Sequence, residues 1–419
     1  MVDLISKKIR GFRDILPDEC DKFLFVEDKI HNICPLFNVK QIRIPTLESL
    51  NLFKRSIGES SDIVTKEMYS FNDKNDDIVC MIPEGTASSM RLAFENNLIY
   101  DRGVKKNRFY YYTSMYRHER PQKGRYRQFT QFGVEFIGDE SIYEDIDLLL
   151  MSKMFFEEIQ LDKIILNINT LGIAEDRNKY SHALQSYFNN YPNSFSDQQK
   201  DTIKNNPLRI LDSKDRQLTD IINGAPNISN YINKASLNKF NETIKVLEDL
   251  KIDYVINNKL VRGLDYYNDL VFEWKTDQLG TQDAICAGGR YDSLSTTIGN
   301  RDIPAVGFAI GIDRVVKLLN YQNTDLVIGL SVISDSKSDL PKILSFLRKA
   351  GKKFRLIQMD TDKSLTKQIK TAVKSNCHIL VIVGSEEISN NTLTIKDLKS
   401  DIDDRIINFD DFPNFIEEY

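Results

Sequence analysis

Residues 116–135 read YRHERPQKGRYRQFTQFGVE, and this segment decides the fold that we predict. Aromatic-rich stretches border it, RFYYYTSMY at 108–116 and YRQFTQFGVEFI at 126–137, and both are typical of β-strands. Between them, RHERPQKGR forms a basic turn built on Pro121 and Gly124. We therefore predict a long antiparallel hairpin with a positively charged tip.

Side chains alternate between the two faces of a strand, so residues two positions apart share a face. Arg117 and Glu119 are therefore predicted to share one face of the first strand. Gln131, Gly133 and Glu135 would share a face of the second strand. Arginine binds phosphate and carboxylates bind amines, so this polar floor suits a ligand carrying both groups. A solvated face of a two-stranded sheet would show the same alternation, and that alternative stays open here.

Four more segments combine glycine with charged or aromatic residues: MIPEGTASS (81–89), LVRGLDYYN (260–268), AGGRYD (287–292) and VGFAIGIDR (306–314). In the first, a turn holds Glu84 and Thr86, whose side chains would bind an ammonium group. A helix that starts here with Thr86 as its N-cap explains the same residues. No glycine pattern matches a P-loop or a Rossmann nucleotide site.

The later segments carry arginines beside glycines. Arg262 precedes Gly263, where a backbone can approach a ligand closely. Tyr266 and Tyr267 are adjacent, so on a strand they would face opposite ways and only one would line a pocket. Arg314 stands at a helix start, where it would bind phosphate oxygens together with the helix N-terminus, or pair with the preceding aspartate.

Composition excludes several classes of protein. The 419 residues are 41% hydrophobic and 28% charged, with a net charge of −5, which is typical of a folded chain with two or three domains. No apolar run approaches the ~20 residues of a membrane helix, and the N-terminus lacks a signal peptide. Five scattered cysteines indicate free thiols in a reducing compartment, so we expect a cytoplasmic protein. Four histidines without ligand spacing argue against a transition-metal site.

The chain changes character twice. Residues 172–250 are polar, rich in Asn and Lys and mostly helical, and we interpret them as an inserted helical subdomain. After about 321–324, strands and helices alternate, which predicts a separate α/β domain with a largely parallel sheet. Residues 342–374 hold ten basic and two acidic residues, so they would contact phosphate or form a solvated helix face.

Taken in order, PEGTA, RHERPQKGRYRQF, LVRGLDYYN, AGGRYD and GFAIGIDR resemble the motifs of bacterial-type histidyl-tRNA synthetases. NPLRILDSKD in the insertion and GSEE…TLTIKDL near the end match as well. The resemblance implies an α+β catalytic core, a class II synthetase antiparallel sheet flanked by helices, over 1–320. It also implies a helical insertion at about 172–250 and an anticodon-binding α/β domain over 325–419.

The implied reaction has two steps. L-Histidine and ATP give histidyl-adenylate and pyrophosphate, and the histidyl group then moves to the 3′-terminal ribose of its tRNA. Residues implied to bind histidine are Glu84, Gly85, Thr86, Arg117, Gln131, Glu135, Arg262, Tyr266, Tyr267 and Tyr291. Residues implied to bind ATP are Arg117, Glu119, Arg125, Phe129 and Arg314.

Catalysis is implied to rest on Arg117, Arg262 and Arg314. Arg262 would stand where related synthetases place a metal ion near the α-phosphate. Gln122 and Arg125 at the hairpin tip would meet the acceptor end of the tRNA.

The resemblance further implies a homodimer, built by the segment around Pro45, and no association with a membrane. Mg²⁺ is expected with the ATP phosphates, and no metal is expected to be held by the protein itself. Two positions depart from the family pattern, because Ile82 and Thr130 stand where arginine and histidine are frequent.

Three other classes of protein agree less well with the sequence. A non-catalytic regulatory relative of the synthetases would lack the anticodon domain and active-site residues, whereas this chain has Arg117, Arg262, Arg314 and the C-terminal α/β pattern. A class II synthetase for another amino acid would not carry LVRGLDYYN. A bare RNA-binding module would not need Glu84, Gln131 and Glu135 in addition to these arginines.

Overall fold

The computed structural model describes residues 7–58, 61, 63–99, 106–120, 124–213, 215–264, 266–280, 283–321, 326–333, 339–350, 354–400 and 402–418. Gln122, predicted to meet the tRNA, lies outside these residues. The chain divides into two compact units, Met1–Asn320 and Tyr321–Tyr419. None of the helices in the described part of the chain combines the length and apolar character that crossing a bilayer requires.

The first unit contains a large sheet and a small one. Their strands are β1 (Lys40–Gln41), β2 (Leu47–Ser49), β3 (Ser70–Asn72), β4 (Ile78–Met81), β5 (Asn107–Tyr116), β6 (Gln128–Ile137), β7 (Ile165–Thr170), β8 (Tyr254–Ile256), β9 (Asn268–Lys275), β10 (Ala284–Arg290) and β11 (Ala305–Gly311). Eight strands form the large sheet in the order β1-β5-β6-β11-β10-β9-β7-β8, and β2-β4-β3 form the small one. Only the edge pairs β1–β5 and β7–β8 are parallel, so the core of the large sheet is antiparallel, as predicted.

Helices flank the large sheet. They are α1 (Pro17–Ile33), α2 (Leu50–Ile57), α3 (Thr86–Glu95), α4 (Ile142–Glu158), α5 (Ala174–Phe188), α6 (Asp197–Asn205), α7 (Thr219–Asn223), α8 (Lys234–Asp249), α9 (Leu294–Gly299) and α10 (Ile312–Leu318). Helix α1 has Pro17 in its first turn and buries Phe23, Val26, Ile30 and Ile33, which recur at helical spacing. Its apolar face therefore packs inward, as the periodicity predicts.

The helical insertion lies between β7 and β8. It contains α5 to α8, and its apolar residues join one core with Met90 and Tyr266 of the rest of the first unit. They include Tyr180, Leu184, Phe188, Ile203 and Leu211. The Asn- and Lys-rich composition belongs to the solvent-facing positions of these short helices. Apolar residues are few in the insertion, but they recur at helical spacing and so form one buried face on each longer helix.

The second unit is an α/β domain with its own core. Its elements are β12 (Leu326–Val332), α11 (Leu340–Lys349), β13 (Phe354–Gln358), α12 (Leu365–Lys374), β14 (Ile379–Val383), α13 (Ser385–Asn390), β15 (Thr392–Asp397), β16 (Arg405–Asn408) and α14 (Phe412–Glu418). The sheet order is β13-β12-β14-β15-β16. The first three strands are parallel, and β15 and β16 add antiparallel pairs at one edge.

Candidate active site

Four neighbouring strands of the large sheet, β6, β11, β10 and β9, form the floor of a cavity of about 330 Å³. Their register places Ala309 beside Ala287, and Gly311 opposite Gln131. Ala287, Ala309 and Gly311 have small side chains or none, so the cavity above them leaves room for a ligand. Larger side chains at the same positions would fill the space.

The structure brings most of the predicted site residues to this one cavity. Its lining includes Glu84, Thr86, Arg117, Glu119, Arg125, Phe129, Gln131, Arg262, Tyr266, Tyr267 and Arg314. Gly85, Glu135 and Tyr291 do not line it. Gly85 directly precedes α3, and a Cβ there would lie 2.2 Å from the Tyr111 ring. Glu135 and Tyr291 lie behind the wall, where they contact each other.

Glu84 caps helix α3. Its carboxylate accepts hydrogen bonds from the backbone N–H groups of Thr86, at 2.7 Å, and Ala87, at 3.0 Å. The expected helix start is present, but Thr86 is the first helical residue and not the N-cap, because the preceding glutamate satisfies the free N–H groups. Burial raises the pKa of Glu84, whose side chain is almost fully enclosed.

Glu135 is the most enclosed acid of the site, with an exposure of 1%. The Thr86 hydroxyl donates to its Oε1 at 2.8 Å, and the Tyr291 hydroxyl donates to its Oε2. Burial raises the pKa of Glu135 to about 8, so this carboxyl is mostly protonated at neutral pH. Gly307 is opposite Glu135, and a Cβ there would lie 2.0 Å from Oε2.

Two adjacent tyrosines both line the cavity. The rings of Tyr266 and Tyr267 are 4.8 Å apart between centroids, and both are buried. The expectation that only one faces the pocket is wrong, because the pair lies in a turn before β9 and strand alternation does not apply. Arg177 of α5 donates to the carbonyl oxygen of Tyr267 and so ties this turn to the insertion.

Arg262 enters the cavity beside the tyrosines. Its Nη1 lies 2.6 Å from Oε1 of Glu273, and its guanidinium carbon lies 5.4 Å from the Tyr267 ring centroid. Lys275 also approaches Glu273, at 3.3 Å. Glu273 was missed by our sequence reasoning. Strand β9 holds two acids, Asp269 and Glu273, and no pattern along the chain shows that the second lies beside Arg262.

The other end of the cavity is strongly positive. Arg125 contacts Glu119 at 2.7 Å, whereas Arg117 lies 3.8 Å from the same carboxylate. Burial and the nearby Arg125 lower the pKa of Arg314. Three guanidinium groups thus meet one acid in a partly enclosed space, an arrangement that favours an anion with several charged oxygens. Phe129 lies beside them, 5.6 Å from the Arg117 guanidinium carbon.

Arg117 and Glu119 do not share a strand face as predicted. Strand β5 ends at Tyr116, and both residues lie in the loop beyond it. The Arg117 N–H still donates to the Arg127 carbonyl at 2.9 Å, whereas the His118 N–H donates to the Glu67 carbonyl at 2.6 Å, so the pairing of the two strands is interrupted at His118. The loop still directs both side chains into the cavity.

The alternative pairing of Arg314 with Asp313 is also wrong. Arg314 donates to the carbonyl oxygen of Ala284, whereas Asp313 binds Arg13 at 2.7 Å and accepts from the Thr130 N–H at 2.7 Å. Asp313 thus joins the N-terminal segment, β6 and α10. This contact joins residues 300 positions apart, and no local pattern signals it.

Three residues that the motifs highlighted lie in the framework. Arg290 is 1% exposed and binds Asp145 at 2.6 Å. Ile82 is fully buried, and Thr130 contributes its backbone N–H to Asp313. None of the three lines the cavity. In the described part of the chain, no group of three His, Cys, Asp or Glu side chains is placed to hold a metal ion.

Comparisons with known proteins agree with this geometry. The family model described as Histidyl-tRNA synthetase matches residues 11–187 and 192–315, and the Anticodon binding domain model matches 329–419. A histidine–tRNA ligase of Francisella philomiragia is 40% identical over 423 residues, covering 98% of each protein. The structure of apo histidyl-tRNA synthetase from Staphylococcus aureus superposes with a TM-score of 0.80 at 27% identity, covering 98% of this chain and 99% of that one.

A third similarity concerns the fold alone. A Bacillus halodurans protein described as an ATP phosphoribosyltransferase regulatory subunit/histidyl-tRNA synthetase has a TM-score of 0.65 at 22% identity. It covers 92% of this chain and 100% of its own.

The antiparallel sheet, the cavity on it and the separate α/β unit define a class II aminoacyl-tRNA synthetase. More particularly, the chain belongs to the histidyl-tRNA synthetase family. Its function is that of a histidine–tRNA ligase, which activates histidine with ATP and transfers it to tRNA.

Proposed function

We propose that the cavity binds histidine at its Glu135 end and ATP at its arginine end, so that the two substrates meet beside Arg262. The observation that carries this proposal is the division of charge along one cavity. Buried acids, hydroxyls and tyrosine rings lie at one end and Arg125 and Arg314 at the other. Arg117 connects them, because it donates to the Pro83 carbonyl beside Glu84 and lies 3.8 Å from Glu119. A zwitterionic amino acid and a polyphosphate match these two ends.

Histidine recognition is proposed to rest on Glu135 and Tyr267, one at each ring nitrogen of the imidazole. Glu84, Thr86 and Gln131 surround the α-ammonium and carbonyl groups. Each oxygen of Glu84 already accepts one backbone N–H, and a second lone pair on each remains for the ammonium. Glu135 lies behind the wall and accepts from Thr86 and Tyr291 in the structure, so this role requires the imidazole N–H to replace one of these donors. Side chains without such an N–H cannot replace them, which supports selectivity for histidine.

ATP is proposed to lie along the arginines. Phe129 stacks on the adenine, Arg314 covers its other face and reaches the γ-phosphate, and Arg117 holds the α-phosphate. Glu119 accepts from the adenine amino group. Because Glu119 contacts Arg125 at 2.7 Å in the structure, this role requires Arg125 to share or leave that carboxylate when ATP binds.

In the first step, a carboxylate oxygen of histidine attacks the α-phosphorus and pyrophosphate leaves. Arg262 would stabilise the charge that develops there, and Glu273 orients its guanidinium through the contact at 2.6 Å. In the second step, a hydroxyl of the terminal ribose attacks the histidyl carbonyl and AMP leaves. Catalysis then consists of positioning and electrostatics, without a covalent enzyme intermediate.

Mg²⁺ is proposed to arrive with ATP and to be held by the outer phosphates, where it neutralises negative charge. The donors of the cavity fit this arrangement. Among its acids, Glu119 and Glu273 pair with arginines, Asp313 pairs with Arg13, and Glu84 accepts two backbone N–H groups, which supports phosphate oxygens as the ligands of the ion.

The tRNA is proposed to contact both units. Arg125, near the hairpin tip, would meet the acceptor end. The second unit would bind the anticodon, because single-stranded bases suit edge readout and stacking. Helix α12 carries Lys367, Lys370 and Lys374 as phosphate contacts.

A homodimer is proposed to form through the small sheet. Pairing of Leu47 with Met81 and of Phe71 with Val79 places four apolar side chains on one face, next to the Pro45 segment. Leu47 and Phe71 are 45% and 47% exposed, whereas Cys80 on the opposite face is fully buried in the core. An apolar face that remains exposed is typical of a protein interface.

The proposed location is the cytoplasm. The five cysteines are all free, and four of them are buried. Unpaired thiols are typical of a reducing compartment.

Histidine-dependent exchange of pyrophosphate into ATP tests the proposed site. Each of the twenty amino acids is offered separately to the protein with Mg²⁺ and without tRNA. Exchange with histidine alone is the expected result. Folded protein without exchange for any amino acid would instead favour a regulatory relative of the synthetases.

A further inference from the structure

The N-terminal residues 10–13 lie against the hairpin formed by β5 and β6. The Arg127 N–H donates to the Gly11 carbonyl at 2.9 Å, and the Arg127 side chain donates to the Arg10 carbonyl at 3.2 Å. Gly11 has a φ of +89°, and a Cβ there would lie 2.5 Å from the Arg127 side chain. The backbone therefore fixes this segment to the hairpin, which brings Arg13 to the start of α10.

Arg13 is a largely buried cation that contacts three elements of the first unit. Its Nη2 donates to Oδ1 of Asp313 in α10 at 2.7 Å, and its Nη1 donates to Glu19 of α1 at 2.5 Å. Its guanidinium carbon lies 4.3 Å from the centre of the Tyr126 ring, which Lys317 also approaches, at 4.8 Å. Arg13 itself does not line the cavity, so it acts on a ligand through the residues that it contacts.

Two of these contacted residues belong to the arginine end of the cavity. Asp313 and Tyr126 line it there, together with Arg125 and Arg314. Asp313 directly precedes Arg314 in α10 and is 3% exposed. A carboxylate in this place would repel a polyphosphate, and it would compete with the phosphates for the Arg314 guanidinium, unless a cation neutralises it.

We infer that Arg13 is a positioning residue for ATP, which neutralises Asp313 and so leaves Arg314 to the phosphates. One oxygen of Asp313 binds Arg13 and the other accepts from the Thr130 N–H at 2.7 Å, so neither is paired with the arginine that follows. Arg314 instead donates to the carbonyl oxygen of Ala284, another residue of the cavity wall. This inference rests on the proposed place of ATP and adds a residue outside the cavity that determines the affinity for ATP.

The test measures KM for ATP and KM for histidine in histidine-dependent pyrophosphate exchange, with the full chain and Mg²⁺. Arg13→Met keeps an extended side chain against Tyr126 but removes the charge, so it is expected to raise KM for ATP about tenfold. KM for histidine should stay near the wild-type value, because the proposed histidine pocket lies at the other end of the cavity. Arg13→Gln is a second neutral variant with the same expectation, whereas Arg13→Lys keeps a cation beside Asp313 and should resemble the wild type.

A second substitution separates neutralisation of charge from packing. Asp313→Asn removes the negative charge and keeps an oxygen for the Thr130 N–H. The double variant Arg13→Met/Asp313→Asn should therefore recover most of the lost affinity for ATP, which a defect in packing alone would not allow. Glu19→Gln is the matched control, because it removes the other acidic partner of Arg13, lies outside the cavity wall and should leave both KM values unchanged.

Thermal unfolding of each variant shows whether its fold is intact. A wild-type KM for ATP in the neutral variants would overturn the inference, as would equal increases in both KM values or a double variant no better than Arg13→Met. Histidine-dependent exchange by the wild type and a raised KM for ATP in Arg314→Ala are established first, so that failure of the proposed function is recognised separately.

Discussion

At the residue scale, the site depends on charged groups that are buried beside partners. Arg262 is held by Glu273 at 2.6 Å, so its guanidinium is oriented before the substrates bind. Such preorganisation is what allows an arginine to stabilise a transition state without reorganisation.

Arg262→Ala is expected to lower histidine-dependent exchange by about 10²-fold or more. The fold should change little, because Lys275 remains 3.3 Å from the Glu273 carboxylate and keeps it paired. Exchange kinetics and circular dichroism measure the two effects. Arg262→Lys is the matched control and should retain the charge but lose the paired N–H geometry. A wild-type exchange rate in the alanine variant would contradict the assignment.

The pKa of Glu135 predicts a pH dependence for histidine binding. Burial raises this pKa to about 8, so the carboxyl is protonated below that pH and ionised above it. The ionised form is the stronger acceptor for an imidazole N–H, so KM for histidine should fall by up to about fivefold from pH 7 to pH 8. The imidazole of free histidine is largely neutral in this range. KM profiles of wild type and Glu135→Gln provide the measurement; a flat wild-type profile, or an equally steep one in the variant, would count against this role.

At the element scale, the glycines of strand β11 leave space for side chains of the neighbouring strand β6, such as Glu135 opposite Gly307. Gly307→Ala is expected to raise KM for histidine and to destabilise the fold by about 1–3 kcal/mol, because the new methyl group would meet Glu135 Oε2 and the Val134 carbonyl. Gly311→Ala on the same strand is the control for stability, since its nearest neighbour would be Arg314 at 3.9 Å. Thermal unfolding compares the two variants, because Gly311 lines the cavity and its substitution would affect KM by itself. Equal destabilisation by both substitutions would show that this contact is unimportant.

At the scale of the whole molecule, we expect the first unit to activate histidine and the second unit to contribute mainly to tRNA binding. Each unit has its own hydrophobic core, so truncation after Asn320 should leave the first one folded. The truncated chain should keep most of its histidine-dependent exchange and lose most of its tRNA aminoacylation. Both activities are measured on the same preparation, and parallel losses would contradict the division.

The assembly proposed through the small sheet makes a separate prediction. Phe71→Glu should convert a dimer to monomers, because it places a charge on the apolar face. Leu250→Glu is the control, an equally exposed leucine at the end of α8. Light scattering after gel filtration reports the mass. A monomeric wild-type protein would remove the basis of this proposal.

Much of the architecture followed from patterns along the chain. The helical spacing of Phe23, Val26 and Ile30 predicted α1, and the aromatic runs predicted β5 and β6. Side-chain directions outside regular elements did not follow. Tyr266 and Tyr267 lie in a turn, and Arg117 lies beyond the end of β5, so strand alternation assigned their faces wrongly.

The sequence by itself determined the periodic elements, the class of protein and the segments that meet at the site, because periodicity and motifs are local properties of the chain. Only the tertiary structure decided which groups became partners. The contacts of Asp313 with Arg13 and of Arg290 with Asp145 join residues 300 and 145 positions apart. The same packing sets the pKa of Glu135, because burial is a property of the assembled fold and not of any segment.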